Sequence, residues 1–518
     1  MITSSNFNHN GRLGNMLFRY AALIGLADKH STGLSLPMWK YSESFSEPFP
    51  QEAPLHNARK VKEPVFNFVP EWPYIKENEN VDLDGYFQSE KYWEQCPELV
   101  RSKLAFKPEF VDHVRSQFPT VFDRPTIAIS VRRGDYVKNP NYAQLPITYY
   151  ILALLENFPN WREHNIVVFS DDIPYCRVHF DCLENVSFSE GNSDIEDLCL
   201  MSQCTHFIMS NSTFSWWGAY LGEKEGTKIV HPNYLFDGDL AKHNDSKDFY
   251  PERWITFDHK VEAGNIRGAN KRIDLKDSCF TIPVAFDHRD RRENLDLCVS
   301  ILNEHFDTNI LVYEQGNKQE LKSDHFANYG GKFHRTKMLN EMARASNAEY
   351  ILNWDADVII PPFQILETVN KLRAGADMVY PYEWAFARMP RAWYSGLRDQ
   401  KDIGIVGDTK FSGMESSAAI SLGGAVAFKK SSFVSGGMEN EKFISYGAED
   451  VERRVRFERL GYKIERTLGV LYHVNHFVGK NSSPKHADFA NNNAEFDKVN
   501  AMSADELREY VASWPWTK

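Results

Sequence analysis

The sequence lacks paired cysteines, long apolar runs and a surplus of basic residues. Its seven cysteines are scattered, odd in number and form no C-x-x-C pair, which predicts reduced thiols in a cytoplasmic protein. No run approaches the ~18 apolar residues of a membrane span, and the first ten residues do not resemble a signal peptide. The net charge of −12 disfavours a nucleic-acid partner, because phosphate neutralisation needs a basic surface.

What is present is typical of a large globular protein. The chain has 518 residues, 42% of them hydrophobic and 25% charged, which is enough for about two to four domains with buried cores. Short apolar segments alternate with helical patterns. This alternation predicts a doubly wound α/β fold with a parallel sheet. The predicted strands of the first half are 126–131, 166–169, 207–210 and 228–231, and its predicted helices include 147–157 and 194–203.

A polar segment interrupts this alternation at residues 259–277. It contains two glycines and few apolar residues, as a linker does. The pattern then restarts, with predicted strands 280–286, 309–313 and 350–354 and predicted helices 293–306 and 335–346. We therefore predict two α/β domains, residues 1–258 and 278–518, joined by a linker over 259–277.

In the second half, two carboxylates follow a predicted strand. Asp355 and Asp357 end the apolar segment 350–354. If they continue the strand, their side chains share one face and both reach one hard cation. Mn²⁺ or Mg²⁺ bound there would bridge the two phosphates of a nucleotide-sugar. The alternative is a solvated turn.

Two further groups lie downstream. Glu449 and Asp450 begin a predicted polar helix, where an ionised carboxylate is available to deprotonate an acceptor hydroxyl. The alternative is the ordinary preference of acidic residues for helix starts. His473 and His476 are candidate nitrogen ligands for the same metal, and the alternative is a structural role.

The order of these motifs resembles the β-1,4-galactosyltransferases and their bacterial chondroitin-polymerase-type relatives. The resemblance includes FDHRDR at 286–291, HRTKMLN at 334–340, the Asp-x-Asp, Gly423-Gly424 and the Gly-Ala-Glu-Asp loop. It implies a GT-A-like domain that transfers a hexose, galactose or an N-acetylhexosamine, from a UDP-sugar with inversion. Ile444, Tyr446 and Ala448 depart from the family pattern, which leaves the acceptor and the donor sugar open. The implied roles are Asp357 and one of His473 or His476 as metal ligands, Asp450 as base, Glu449 as acceptor contact, and Arg289, Arg291, Lys337 and Asp355 at the nucleotide-sugar.

In the first half, polar residues follow strands or precede helices. Gly14 and Asn15 precede an apolar helix over 16–27, where backbone N–H groups favour anions. Arg132 and Arg133 follow strand 126–131, a position that suits a diphosphate. Asn211-Ser212 follow strand 207–210 and combine helix-capping with phosphate-donating groups. The alternative for Gly14 and Asn15 is an ordinary loop that enters a helix, and the alternative for Arg132 and Arg133 is a surface ion pair.

These motifs together resemble the α-1,2-fucosyltransferase family over residues 1–257. GYFQSEKY at 85–92 and FSDD at 169–172 extend the resemblance. It implies a GT-B-like domain of two Rossmann halves, GDP-fucose as donor and no metal. Arg132 and Arg133 would hold the diphosphate, with Asn211 and Ser212 in the donor pocket. Ser130 stands where the family commonly has histidine, so Asp135 is considered as the base.

The sequence thus predicts a bifunctional glycosyltransferase that uses nucleotide-sugar donors and glycan acceptors. The first alternative is a single-activity enzyme with a catalytically inactive, glycan-binding N-terminal domain, which Ser130 favours. The second is a lectin-like scaffold without turnover, which the carboxylates of the C-terminal half disfavour.

Overall fold

The structure, a computed structural model, describes the chain except residues 10, 53–54, 56, 261–268, 323–324, 384, 408–414, 418–420 and 480–485, and the side chains of 415–417. The chain divides into two compact units. The first unit comprises Met1–Ile173 and Asn185–Ala269, and the second comprises Pro174–Glu184 and Asn270–Lys518. Within the described residues, no helix is both long enough and apolar enough to cross a membrane.

The first unit contains two parallel sheets. Their strand orders are β2-β1-β4-β3 and β10-β9-β8-β5-β6-β7. All six residues of β5 are buried, as expected for a strand covered on both faces. The elements are β1 (Ile2–Thr3), α1 (Leu13–Lys29), β2 (Leu34–Ser35), β3 (Arg59–Lys62), β4 (Val81–Asp84), α2 (Pro97–Lys103), α3 (Pro108–Ser116), β5 (Thr126–Val131), α4 (Ile147–Asn157), β6 (Asn165–Ser170), α5 (Ile173–Phe180, which from Pro174 on belongs to the second unit), β7 (Val186–Phe188), α6 (Asp194–Ser202), β8 (His206–Ile208), α7 (Thr213–Gly222), β9 (Ile229–Pro232), α8 (Gly238–His243) and β10 (Ile255–Phe257).

The second unit is built on a mixed sheet of seven strands, in the order β13-β12-β11-β14-β19-β16-β20. A second sheet has the order β15-β21-β17-β18. The elements are β11 (Ile273–Ala285), α9 (Arg289–His305), β12 (Phe306–Gln315), β13 (Phe326–Ala327), α10 (Arg335–Ala345), β14 (Tyr350–Trp354), β15 (Val358–Ile359), α11 (Pro362–Arg373), β16 (Met378–Tyr380), β17 (Phe386–Met389), α12 (Tyr394–Gln400), β18 (Glu415–Ser417), β19 (Ala425–Lys429), α13 (Lys430–Ser435), α14 (Glu449–Arg459), β20 (Ile464–Arg466), β21 (Leu471–Val474), α15 (Phe489–Ala501) and α16 (Ala504–Ala512).

Both units have the α/β class that the alternating pattern predicts, and β5, α4 and β14 begin and end at the predicted residues. The predicted linker differs from the structure at its C-terminal end. Strand β11 begins at Ile273, because Ile273 and Leu275 are buried while Asp274 and Lys276 are exposed. This alternation is that of a strand with one covered face. Residues 261–268 of the predicted linker lie outside the described residues.

Candidate active sites

A cavity of about 680 Å³ lies in the first unit. We call it the first-unit cavity. Its wall includes the start of α1, the loops that follow β5 and β8, and the start of α7. The carboxyl ends of parallel strands are where α/β folds bind ligands. The residues predicted from the sequence that line it are Gly14, Asn15, Arg132, Asp135, Asn211 and Ser212.

Gly14 allows the N-terminus of α1 to lie close to the N-terminus of α7 at this cavity. A Cβ atom on Gly14 would lie 2.7 Å from the backbone N of Phe214 and 2.7 Å from the carbonyl carbon of Thr213. Only glycine allows this approach, because backbone atoms cannot move aside as a flexible side chain can. Ser212 caps α7 by accepting a hydrogen bond from Phe214 N at 3.2 Å. Helix N-termini favour anions, so this wall suits a phosphate.

The arginines at the cavity are paired with carboxylates. Arg132 forms ion pairs with Asp135 and Asp171, and Arg12 lies 2.9 Å from Asp135. Burial alone would raise the pKa of the Asp135 carboxyl, but Arg132 and Arg12 outweigh burial and hold that pKa below its usual range. Asp135 is therefore a weak base, and its main effect is to hold two guanidinium groups at the cavity.

Two predicted donor residues have other partners. Arg133 donates from Nε to Asp172 at 3.3 Å and from its backbone N to Asp171 at 2.9 Å, and it is not among the described residues that line the cavity. Asn211 is buried, and its Nδ2 donates to the carbonyl oxygens of Ala143 and Leu235, each at 2.9 Å. Asn211 therefore braces the cavity wall with its amide nitrogen, and donor binding by either residue stays a prediction.

In the second unit, strand pairing brings three candidate metal ligands together. Strand β15 runs antiparallel to β21 and pairs Val358 with His473. Asp357 lies just before β15, where its carbonyl oxygen accepts from Val474 N at 2.8 Å. Ligand atoms of Asp357, His473 and His476 all lie within 4.8 Å of one another. We call these three residues the Asp–His–His triad.

The contacts within the triad place a carboxylate between two imidazoles. Asp357 Oδ2 lies 2.9 Å from His476 Nε2, and Oδ1 lies 3.5 Å from His473 Nε2. Arg291 donates to Asp357 Oδ2 at 3.1 Å. Burial would raise the pKa of Asp357, but the two histidines and Arg291 outweigh burial and hold it well below its usual range. Asp357 therefore remains ionised. One carboxylate and two imidazoles are a donor set that transition metals such as Mn²⁺ accept, so the triad fits a divalent ion.

Asp355 lies outside the triad, in spite of the prediction that it shares a face with Asp357. The two residues belong to the turn between β14 and β15, where Val358 N donates to Asp355 O at 3.2 Å, so the alternation of a strand does not apply to them. Asp355 Oδ1 instead accepts from Arg335 Nε at 3.0 Å and Nη2 at 2.9 Å. Its role as a metal ligand stays a prediction.

Arg335 connects this turn to Asp450 of the predicted catalytic pair, and Arg453 binds the same aspartate. Arg335 Nη1 lies 3.7 Å from Asp450 Oδ1, and Arg453 Nη2 donates to the same oxygen at 2.7 Å. Arg453 is fully buried, and its Nε donates to both oxygens of Glu439 at 2.9 and 3.0 Å. Asp450 thus has two arginine partners, of which Arg335 also binds Asp355. The sequence analysis missed both, although Arg335 lies in the HRTKMLN segment.

Glu449 differs from Asp450 in its surroundings. Burial, with the neighbouring charge of Asp450, raises the pKa of Glu449 to about 8. Among the described groups, Glu449 Oε2 has no hydrogen-bond partner. A carboxyl that is largely protonated at neutral pH can donate a hydrogen bond, which suits contact with a sugar hydroxyl better than proton abstraction.

The other residues predicted to contact the nucleotide-sugar, Arg289, Arg291 and Lys337, lie at different distances from the triad. Arg289 begins α9, two residues before Arg291, which contacts the triad. Lys337 lies on α10 with its Nζ 4.0 Å from Glu341 Oε1 and 5.3 Å from the centre of the Tyr329 ring. Of Arg291, Arg289 and Lys337, Arg291 is the residue that the structure brings into contact with the triad.

Comparisons with known proteins find one family match in each half of the chain. Residues 2–258 match glycosyl transferase family 11, and residues 409–480 match the N-terminal domain of galactosyltransferase. The chain is 30% identical over 190 residues to an α-1,2-colitosyltransferase of Escherichia coli, covering 35% of this chain and 63% of that protein. It is 28% identical over 260 residues to a galactoside 2-α-L-fucosyltransferase of Bos taurus, covering 45% of this chain and 67% of that protein.

Among solved structures, the chain is similar to a mutant of Drosophila β-1,4-galactosyltransferase 7 in complex with manganese, UDP-Gal and xylobiose. The identity is 12%, and the match covers 38% of this chain and 71% of that chain. The TM-score of 0.26 is too low to support a conclusion on activity. The chain spans less than two thirds of the E. coli relative. The family matches show that this chain joins a glycosyl transferase family 11 segment to a segment of galactosyltransferase type.

Proposed function

We propose that the chain is a bifunctional glycosyltransferase. The first unit, of GT-B type, transfers fucose from GDP-fucose in α-1,2 linkage to a galactoside, and it needs no metal. The second unit, of GT-A type, transfers galactose or an N-acetylhexosamine from a UDP-sugar with inversion. The observation that carries the proposal is that six of the sequence-predicted residues line the first-unit cavity, while Asp357, His473 and His476 come together as the Asp–His–His triad.

The first-unit cavity has arginine side chains and backbone N–H groups that suit the phosphates of a nucleotide-sugar. Arg132 and Arg12 line it together with the N-termini of α1 and α7. Guanidinium groups and helix N-termini both bind phosphate oxygens. Each arginine is already paired with an aspartate. A diphosphate that binds here replaces Asp135 or Asp171 as the partner of a guanidinium group. The arginines are thereby kept in place before the donor arrives.

In the second unit, different residues bind the metal ion and accept the proton of the acceptor hydroxyl. Asp357, His473 and His476 would hold Mn²⁺, and a bound ion there would neutralise charge on the departing diphosphate. Asp450 accepts the proton of the acceptor hydroxyl, and Arg335 and Arg453 orient its carboxylate. Glu449, held protonated by burial, donates a hydrogen bond to the acceptor sugar. Arg291 orients Asp357 by donating a hydrogen bond to its Oδ2.

Two single substitutions test bifunctionality on the full chain. With GDP-fucose and a terminal galactoside, Arg132→Ala should reduce release of GDP at least about 100-fold, because the arginine pairs with the diphosphate. With UDP-galactose, an acceptor sugar and Mn²⁺, Asp450→Asn should reduce release of UDP by about 100-fold or more. Each variant should leave the other reaction unchanged, so each serves as the control for the other. Loss of both reactions in either variant would contradict two separate sites.

A second candidate function follows from Ser130. This residue lines the cavity where the family commonly has histidine, and a serine hydroxyl does not accept a proton at neutral pH. The first unit would then bind glycans without turnover. Failure of the wild-type chain to release GDP from either GDP-fucose or GDP-colitose, combined with measurable galactoside binding, would establish this candidate and exclude the first.

A further inference from the structure

The first-unit cavity must supply a group that deprotonates the acceptor if it transfers a sugar, and the wall offers few. Ser130 does not accept a proton at neutral pH. Among the described residues that line the cavity there is no histidine. The amides and the neutral tyrosine hydroxyls of the wall do not act as bases at neutral pH, and the arginines stay protonated. The remaining candidates are the carboxylates of the wall, which are Asp135, Asp171, Asp194 and Asp197.

Three of these four carboxylates are engaged elsewhere or exposed. Asp135 and Asp171 both form ion pairs with Arg132, whose guanidinium the proposed diphosphate requires. An ion-paired carboxylate is a weaker base. Asp194 is exposed at the first position of α6 and accepts a hydrogen bond from Tyr41 Oη. None of the three combines burial with freedom from a strong partner.

Asp197 has a different environment. It is half-buried, and its Oδ1 accepts from Ser189 Oγ at 2.6 Å and Asn192 Nδ2 at 3.1 Å. These two donors fix the orientation of the carboxylate. In the part of the chain that the structure describes, Asp197 Oδ2 has no donor and no cation pairs with the residue. A fixed carboxylate with one free oxygen at the wall of a ligand cavity has the form of a general base.

The surroundings of Asp197 raise the pKa of its carboxyl. Burial raises its pKa, the bonds from Ser189 and Asn192 only partly oppose burial, and Glu196 and Asp194 raise the pKa further. On the neighbouring helix α3, the guanidinium of Arg115 lies 4.4 Å from the centre of the Phe122 ring, and in the described part of the chain it forms no ion pair with Asp197. His113 of α3 lies 3.8 Å from Glu196, and α7 contains no charged residue. Asp197 is thereby a stronger base than an exposed aspartate.

We infer that Asp197 is the catalytic base of the first unit, an inference that rests on the fucosyl transfer proposed above. Asp197 Oδ2 takes the proton of the acceptor hydroxyl while the hydroxyl oxygen forms a bond to C1 of the donor sugar. The bond between C1 and the phosphate oxygen breaks, and its electron pair leaves with GDP. Asp197 then releases the proton to water. Ser189 and Asn192 are positioning residues that hold Oδ1.

The test is the kinetics of Asp197→Asn in the full chain, with GDP-fucose and a galactoside. General bases contribute about 10²- to 10⁴-fold, so kcat should fall by that factor while the KM for GDP-fucose stays within about threefold. The pH profile gives a readout that a structural role would not change. Wild-type kcat should fall as the pH drops through the raised pKa of Asp197, because the base becomes protonated, and this acidic limb should be absent in Asp197→Asn.

Asp112→Asn is the matched control, since it removes an exposed carboxylate of the same unit, on α3, that does not line the cavity. It should leave kcat within about threefold of wild type, as expected for a group outside the reaction. Formate should partly restore the activity of Asp197→Ala, which keeps the test valid if Asp197→Asn folds poorly. An active wild-type chain whose Asp197→Asn variant retains kcat within threefold would overturn the inference. A wild-type chain without any transfer would instead overturn the proposed function.

Discussion

Gly14 permits the N-termini of α1 and α7 to meet at the first-unit cavity, and its replacement by alanine tests that packing. The new Cβ would lie 2.7 Å from Phe214 N and 2.7 Å from the Thr213 carbonyl carbon, which is far inside van der Waals contact. Overpacking of this kind costs about 1–3 kcal/mol. Alanine recovers at most about 1 kcal/mol over glycine in a helix, and less near its start. We therefore expect a net loss of about 1–2 kcal/mol in local stability.

Hydrogen exchange measured by mass spectrometry should show this loss. Amides in peptides from α1 and α7 should exchange roughly 5- to 30-fold faster in Gly14→Ala, which is the factor that 1–2 kcal/mol implies. Gly33→Ala is the control, because its Cβ would meet only Met1 Cε at 3.6 Å. Unchanged exchange in both helices of Gly14→Ala, together with unchanged GDP affinity, would refute the argument that glycine is required for the approach of the two helices.

Three further predictions concern the metal, a buried ion pair and pH. Asp357→Asn removes the carboxylate of the triad and should weaken Mn²⁺ binding at least about tenfold by calorimetry, whereas unchanged affinity would place the ion elsewhere. Glu439→Gln removes the buried carboxylate that Arg453 binds and leaves Asp450 as its remaining carboxylate partner, so it should cost about 3 kcal/mol in chemical denaturation, the lower end of the range for a broken buried pair; a loss below 1 kcal/mol would mean that the pair is not needed. Burial lowers the pKa of His231 to about 4 from its usual 6.5, so the stability that the neutral ring contributes is complete above pH 6.5 and is lost between pH 6.5 and 4. Acidification from pH 7 to 5 should therefore destabilise the first unit by about 1–2 kcal/mol, and His231→Gln should reduce that slope in thermal unfolding.

Local sequence was sufficient to predict the elements that carry the sites. Continuous apolar segments such as 126–131 and 350–354 are buried as β5 and β14, and the polar residues that follow them lie at the ends of those strands. Such predictions succeed because strand burial depends on the residues themselves. The strand from Ile273 was missed because its exposed face, with Asp274 and Lys276, resembles a polar linker.

The assembly of the sites depended on contacts between distant segments. His473 reaches Asp357 because β21 pairs with β15, more than 100 residues earlier, and no local pattern contains that register. Asp355 turns away to Arg335 because the chain bends after β14, which residue spacing does not indicate. The sequence by itself determined the α/β class and which residue types stand at strand ends, since these follow from hydrophobic periodicity. Only the tertiary structure decided which carboxylates meet histidines and which meet arginines, because strand register and the packing of distant helices set those distances.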